Sequence, residues 1–541
     1  MNGNNNWTTK IEWEGNRNAS MLTYHEYKYQ IEDVGNLYNP KALNDNSSIT
    51  EAIRGYNAVT TEIQSVISES ASQKKRIRAI GSSWSFSEVL WPGEDGRVIN
   101  TFNLNLTFPV EKEHILDADK NDKFYFAQCG AKIWHLTNRL EEKKRSLKTS
   151  GASNGQTIAG AISTGTHGSA LDVGAIQDYI VGLHLIVGPN RHVWLERESQ
   201  RVVSDDFLRL LGITKKEDRI RNDEIFNAAL VSFGSFGFIH GVMIETDKIF
   251  LLERFGFLKS FDDKLKKAIH TLDFSELQLP HGSERPYFFS VIVNPHNLER
   301  AYVTVMYKQA YDKNYIRRVK EDGSGGLGPG DAIFDFLADL PDKLQIKVIN
   351  DIFEKRYKGT EEMPSFARGT LGDIFTFTTN PGGFASMAIG VPLEEASKTL
   401  EIILKVHDEQ KTKNFPGGIS LRYVKGSKAL LAFTKFPTTC IIELDGVSKN
   451  KNTKDNTQKF YENVLSRLDE ELKQDGRLQY TLHWGKVNDH LKVPKDGKPR
   501  VRWMYGDDTV DRWLESRRAL LDESTRQVFS SPFLEACGLA G

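Results

Sequence analysis

Two stretches of this chain combine small side chains with hydroxyls in a way that suits anion chemistry. Gly81-Ser82-Ser83-Trp84-Ser85-Phe86-Ser87 follows Arg76–Ile80, whose alternation reads as a strand. Ile158–Ser169, with the sequence IAGAISTGTHGS, carries glycines at 160, 165 and 168. Where side chains are this small, the backbone approaches a ligand closely, and a concave run of N–H groups binds an anion. A pyrophosphate needs such donors. A flat heteroaromatic ring beside it needs a slot walled by small residues, which Ala159, Gly160, Ala161, Gly165 and Gly168 provide. The same residues also read as a pair of tight turns around a buried His167, and composition alone leaves both readings open.

Three other motifs lose their chemistry in context. Gly323, Gly325 and Gly328 satisfy the dinucleotide pattern GxGxxG, which requires a hydrophobic strand before it and a helix after it. Here the charged run Arg317–Asp322 precedes it and Pro329 follows, so a loop is expected. Gly151-Ala152-Ser153-Asn154-Gly155 matches the nucleophile elbow GxSxG but lacks the flanking strand and helix that expose a catalytic serine. The Gly81 loop lacks the GK[ST] ending of a Walker lysine.

The elements that must position these loops follow from periodicity. Ile49, Ile53, Ala58, Ile63 and Ile67 predict a helix over Ser48–Ser68. Strands are expected at Arg97–Phe102 and Lys123–Cys129, and a short helix at Ile133, Leu136 and Leu140. Ser150–Ser169 is too small-sided for a core and reads as a long loop. Tyr179–Val187, Gly188-Pro189-Asn190 and His192–Leu195 read as strand, turn, strand. A helix over Ile225–Leu230, a glycine turn at Gly234-Ser235-Phe236-Gly237 and a strand over Phe238–Ile244 complete an α+β nucleotide-binding unit. Beyond about Ile249, strand-like runs (Tyr287–Val293, Ala301–Tyr307, Leu430–Phe436, Thr439–Leu444) alternate with charged helices such as Asp342–Arg356. The expected division is a leader over 1–34, a nucleotide-binding domain over 35–248, a substrate domain on an antiparallel sheet over 249–477, and a segment over 478–541 that returns to the site.

Bulk properties exclude several classes. At 541 residues the chain is too long for one core. A net charge of −1 offers no footprint for nucleic acid. Three scattered cysteines, Cys129, Cys440 and Cys537, argue against a disulfide scaffold or a structural metal site. No apolar run approaches the roughly 20 residues of a membrane span, and the polar start lacks a secretory core. A cytoplasmic enzyme acting on a small molecule is expected.

Arg78–Ser87, as RxxGxxxSFS, and Ile158–Ser169 together resemble the PCMH-type FAD-binding domain of the vanillyl-alcohol oxidase flavoprotein superfamily. Gly234–Val242, GSFGFIHGV, resembles its GxLGIIxxV strand. The pattern is similar to the branch of D-arabinono-1,4-lactone oxidase-like (aldonolactone oxidase) and alditol oxidase-like flavoproteins. Leu482-His483-Trp484-Gly485-Lys486 resembles that branch's HW[AG]K, and Arg517–Leu534 its closing helix and tail. The resemblance implies an α+β fold, with a PCMH-type domain of two α/β subdomains and a cap domain whose antiparallel sheet is flanked by helices. It implies FAD, with Ile80, Gly81, Ser82, Ser83, Trp84 and Ser85 at the pyrophosphate. Gly160, Ser163, Thr164, Gly165, Thr166, His167, Gly168 and Ser169 would run beside the ring and ribityl chain, and Gly237 to Ile239 near the adenine or the ring. It also implies oxidation of a CH–OH carbon by hydride transfer to flavin N5, with oxygen or another acceptor reoxidising the flavin. Lys486 would then stabilise charge at the flavin or touch the substrate hydroxyl, while His483 orients it or acts as base. The alternative for His483 and Trp484 is a packed aromatic plug.

Two positions depart from the pattern. Trp84 stands where many members attach flavin through histidine, and neither loop holds a cysteine, so noncovalent FAD is expected. The branch shows Glu-x-Arg where this chain has Ser420-Leu421-Arg422. Arg422 remains, but a serine cannot serve as a carboxylate base. Either His483 or Glu443 takes the proton, or the substrate is not a sugar lactone or polyol. Pro364–Ile389, with Phe366, Phe375, Phe377 and Phe384, would line an apolar pocket for a bulkier, sterol-like alcohol or else be ordinary core. A flavin-binding relative without turnover is the remaining alternative.

Overall fold

The helical spacing of apolar residues near the start is realised as one long helix, Ile49–Ser72, which buries Ala52, Ile53, Tyr56, Val59, Ile63 and Ile67. The computed structural model describes residues 30–33, 49–94, 96–117, 122–151, 153–317, 358–375, 384–410, 417–448 and 451–541, with scattered positions between 344 and 353.

Three sheets organise the chain. A small parallel sheet places Arg97–Asn100 between Gln30–Asp33 and Ile77–Ile80, and delivers the Gly81 loop from its last strand. A six-stranded sheet runs Thr107–Pro109, Phe124–Gln128, Phe238–Glu245, Ile180–Gly188, Arg191–Glu196, Arg219–Arg221, antiparallel except for its last pair. Its strand Ile180–Gly188 is buried along its whole length, which accounts for a nearly unbroken apolar run. Gly182 is required there, because a Cβ would meet the Trp194 ring at 2.2 Å.

The third sheet has eight antiparallel strands in the order Ser365–Gly369, Phe250–Ser260, Arg300–Ala310, Phe288–Val293, Ile419–Lys425, Thr438–Val447, Phe384–Pro392, Thr481–Leu482. Helices Asp263–Thr271 and Lys451–Glu471 cover one face: the Tyr423 hydroxyl donates to the Ile269 carbonyl at 2.9 Å and Tyr461 to that of Leu444 at 2.7 Å. The sheet is tied to the Ile158–Ser169 segment by Ser169, whose hydroxyl donates to the Phe289 carbonyl and accepts the Tyr423 N–H at 2.9 Å.

Two expectations change. Ser150–Ser169 is not all loop: Ile158, Ala161 and Ile162 recur at helical spacing, form the helix Ile158–Thr164 and are buried, and Gly165 at φ +84° ends it. Leu430–Phe436 is turn and loop rather than strand. Its carbonyls at Leu431 and Phe433 accept from the Trp484 indole and the Thr481 hydroxyl, so they are not available to a ladder. Of Asp342–Arg356 only scattered residues are described, and those are helical; the Gly323–Gly328 motif lies outside the described residues. Among the described residues no helix is long and apolar enough to cross a membrane.

The C-terminal helix Asp507–Leu520 packs on the helix Asp223–Leu230 and buries Arg517 completely. This guanidinium has carbonyl partners: Ser235 at 2.9 Å, Arg526 at 2.7 Å and Ala540 at 2.9 Å. Arg78, also buried, reaches the adjacent carbonyls of Phe233 and Gly234. Removing the donor leaves buried carbonyls unsatisfied, at about 1–3 kcal/mol each. Arg517→Ala is therefore expected to cost roughly 3 kcal/mol or more, read as a lower urea midpoint with the unfolding slope unchanged. Arg517→Lys should not restore it, since an ammonium lacks the planar fork.

Candidate active site

The first loop is built to be left incomplete by the protein. Thr101 holds the Ile80 carbonyl through its N–H at 3.1 Å and its hydroxyl at 2.8 Å, which sets the exit from the strand. At Gly81 a Cβ would lie 2.2 Å from Thr157 Oγ1, so only glycine lets the two loops close on each other. Ser83 sits in the left-handed region at φ +54°, uncommon for a residue with a side chain. The hydroxyls of Ser82 and Ser83, and Oε1 of Gln156, are buried with no hydrogen-bond partner. All three residues border the cleft, where a bound molecule would complete them. Beyond them the Phe86 N–H donates to the Gly485 carbonyl at 2.9 Å, and the Ser87 hydroxyl donates to that of Trp484 at 2.6 Å.

The second segment supplies the opposite wall. Gly160, Ser163, Thr164, Thr166 and His167 border the cleft, as do Gly81, Ser82, Ser83, Trp84, Ser85, Gly237 and Ile239. Four expected contacts stand behind it instead. Ile80 is buried in the strand end, Gly165 packs on Phe433, Gly168 closes against Thr149 and Ser150, and Ser169 ties the segment to the large sheet. Gly237, at φ +102°, would bring a Cβ to 2.7 Å from the Ile186 carbonyl.

The third wall is charged, and the eight-stranded sheet positions it. Ser420 lies directly across the ladder from Glu443, and Arg422, two residues on, shares the face. Glu443 is buried and accepts from Arg422 Nη1 at 2.5 Å; Lys486 Nζ lies 3.7 Å away and His167 Nε2 3.9 Å away. Burial pushes the Glu443 carboxyl up, but Arg422 and Lys486 outweigh it and hold the group well below the usual range. Asp445, two residues on, accepts from Ser386 Oγ at 2.7 Å, and Ser386 Oγ also accepts from Lys486 Nζ at 3.1 Å. Lys486 is delivered by the sheet edge: His483 N–H donates to the Ala388 carbonyl at 3.0 Å and Val487 N–H to that of Ser386 at 2.9 Å. Burial lowers the pKa of His483 well below its usual value, and its Nδ1 accepts the Gly485 N–H at 2.9 Å, so its proton sits on Nε2.

Arg422, His483 and Lys486 thus meet at one cleft, with Glu443 and Asp445, while Ser420 lies behind the lining. Asp445 and Ser386 were missed from the sequence; the signal for the carboxylates is the pair at i, i+2 in the otherwise apolar strand run CIIELDGV. Phe366 is 57% exposed, Phe375 is buried beside Phe288, and neither borders the cleft, so this part of the expected apolar pocket does not form. Phe377 and the side chain of Phe384 lie outside the described residues. The cleft measures about 380 Å³ and runs from the Ser82–Ser83 hydroxyls to the charged wall.

Residues 58–195 match the FAD binding domain family. Among curated proteins, the chain is 26% identical over 212 residues to L-gulono-1,4-lactone dehydrogenase of Mycobacterium tuberculosis, covering 39% of this chain and 41% of that one. It is likewise 26% identical over 206 residues to D-arabinono-1,4-lactone oxidase of Candida glabrata, covering 38% and 34%. The matches thus span between about a third and two fifths of the curated relatives' length. Over 94% of both chains the fold is similar to that of cholesterol oxidase from B. sterolicum, with a TM-score of 0.59 and 12% identity. The chain therefore carries an FAD-binding domain within a fold of that type. The partnerless hydroxyls and the glycine closure at Gly81 fit a pyrophosphate-bearing cofactor.

Two outcomes follow from this geometry. Replacing both Ser82 and Ser83 by alanine is expected to weaken FAD binding about 100-fold, since each bond to a charged group contributes about 1.5 kcal/mol or more; titration of flavin fluorescence measures it. Burial, with help from Arg422 and Lys486, lowers His167 to about 4 against the upward pull of Glu443. Its unfolded value is about 6.5, so as pH falls from 6.5 to 4 the unfolded chain takes up a proton that the folded chain refuses, and stability is lost. His167→Asn should remove roughly 3 kcal/mol of that loss, seen as a flatter dependence of the unfolding midpoint on pH in this window.

Proposed function

We propose that this protein is an FAD-dependent oxidoreductase that oxidises the CH–OH carbon of a polyol or sugar-lactone-like alcohol, with FAD held noncovalently. The observation that carries the proposal is one continuous cleft with partnerless serine hydroxyls at one end and a cluster of Arg422, Glu443 and Lys486 at the other. Bound FAD would supply an acceptor for a hydride from the alcohol carbon while the hydroxyl proton leaves to solvent, and oxygen or another small acceptor would restore it.

The chain's own groups have distinct parts. Ser82 and Ser83 donate to phosphate oxygens. Lys486 and Arg422 are preorganised cations for the negative charge that accumulates as the alcohol is oxidised. His483 borders the cleft with its proton on Nε2; with Nδ1 engaged by Gly485, it donates and orients rather than accepts a proton. Trp84 cannot form a histidyl link, and the Cys129 thiol bordering the cleft is pushed up by burial, away from the reactive thiolate, which supports noncovalent FAD. The charged wall, with the side chains of Arg422 and Lys486 partly exposed to the cleft, offers donors for a substrate with several hydroxyls and little apolar surface for a sterol. All three cysteines are unpaired and buried, which supports a reducing, cytoplasmic setting.

The purified protein is expected to be yellow and to bleach anaerobically with polyols or aldonolactones but not with sterols. A colourless protein that takes up no added FAD overturns the proposal, and bleaching by sterols alone overturns its substrate class. Acid precipitation should leave flavin in the supernatant; flavin in the pellet contradicts the noncovalent assignment. Lys486→Ala is expected to slow flavin reduction about 100-fold, in the range for loss of one charge-stabilising donor.

A further inference from the structure

Glu443 is the best-connected ionisable group bordering the cleft. It sits at 4% exposure on the strand Thr438–Val447, where Ile441 and Ile442 precede it and Leu444 follows. Arg422 at 2.5 Å, Lys486 at 3.7 Å and His167 at 3.9 Å converge on it from three different segments of the chain. An unpaired carboxylate at this depth would be strongly disfavoured, and so would two unpaired cations. The three charges are held together by one another.

The ladder gives this arrangement a second property. Ser420 and Glu443 are directly opposed in the antiparallel pair, so their side chains leave the same face about 5 Å apart. Arg422 is two residues from Ser420 and shares that face, so it can reach a carboxylate rooted at either position. A carboxylate rooted at 420 would keep the face of Arg422, while Lys486, delivered from the other side of the Glu443 strand, would lie about one strand spacing, ~5 Å, farther from it.

We infer that Glu443 is the positioning residue of this cleft: it holds Arg422 and Lys486 at the flavin end, offsets their charge, and does from one strand what the opposed position 420 could do from its neighbour. The inference rests on the FAD reading above. With FAD bound in this cleft, the fixed negative charge of Glu443 would oppose the negative charge that the flavin gains on reduction and so keep its reduction potential low.

The test measures the midpoint potential of bound FAD by dye equilibration, which requires no knowledge of the substrate. Glu443→Gln keeps the shape of the side chain and removes its charge. It is expected to favour reduction at least tenfold, which for a two-electron couple is a rise of about 30 mV. Glu443→Ser should give a similar rise, and the exchange S420E/E443S should return the equilibrium to within threefold of the natural protein. An unchanged potential in Glu443→Gln overturns the inference. So does an exchange variant that binds FAD yet keeps the potential of Glu443→Ser, because a purely structural carboxylate would not be replaced electrostatically from position 420. Should the serine variants fail to fold, Glu443→Gln decides the matter alone. Failure of the FAD reading itself is distinguishable: the natural protein would then take up no flavin at all.

Discussion

The cleft exists because two segments 397 residues apart in the chain are bonded backbone to loop. The Ser87 hydroxyl and the Phe86 N–H reach the carbonyls of Trp484 and Gly485, and the segment they grip is also the edge of the eight-stranded sheet through Ala388 and Ser386. One short stretch, Thr481–Val487, is thereby shared by both walls. Trp484 fills the space behind it, its ring 4.2 Å from that of Phe233 and its indole N–H on the Leu431 carbonyl. Lys486 inherits its place from these bonds and not from its own flexible side chain. Any shift of the sheet against the nucleotide-binding loops would move Lys486 relative to Ser82 and Ser83, so the distance between the two ends of the cleft is a property of backbone hydrogen bonding.

The two ends differ in how far the protein satisfies them. At the charged end Glu443 is buried and paired with the partly exposed Arg422 and Lys486, so removing the cations leaves its carboxylate buried and uncompensated. At the serine end the hydroxyls of Ser82 and Ser83 have no partner and Ser83 holds a left-handed backbone. That end leaves donor groups, at about 1–3 kcal/mol each, for a molecule in the cleft to complete. Binding free energy is therefore concentrated at the serine end, while the charged end is preorganised before any ligand arrives. This is the division expected where one part of a site anchors a cofactor and the other meets developing charge without reorganising.

Legibility in the sequence follows the range of the forces involved. Gly81, Gly165 and Gly237 mark real backbone demands, and the hairpin from Ile180–Gly188 into Arg191–Glu196 could be read from its apolar runs and the Gly-Pro-Asn turn between them, because those signals are local. Leu430–Phe436 misled because its strand-like composition competes with distant side chains, Thr481 and Trp484, for the same carbonyls. Ile158–Thr164 misled in the other direction: its glycine content suggests a loop, yet Ile158, Ala161 and Ile162 find a core on one side. The charged wall was half legible. Arg422, His483 and Lys486 stood out by motif and Glu443 by adjacency, but which residue faces which across a ladder depends on register, and register is set by pairing partners far away in the chain.

That dependence also explains why likeness of fold says little about the chemistry here. A backbone similar over 94% of its length at 12% identity fixes where strands run and which positions oppose each other. It is silent on which of two opposed positions carries a charge. Moving a carboxylate along its own strand by one residue would turn it to the helix-covered face and bury it without a partner. Moving it by two would carry it nearly 7 Å along the strand axis, to position 445, which Asp445 already holds, or to position 441, directly opposite Arg422. Moving it across the ladder displaces it by about 5 Å on the same face and keeps it two residues from Arg422, but one strand farther from the sheet edge that delivers Lys486. Exchange across the ladder thus keeps the pairing with Arg422 and loosens that with Lys486. Ser420 facing Glu443 is the arrangement that this route would leave behind.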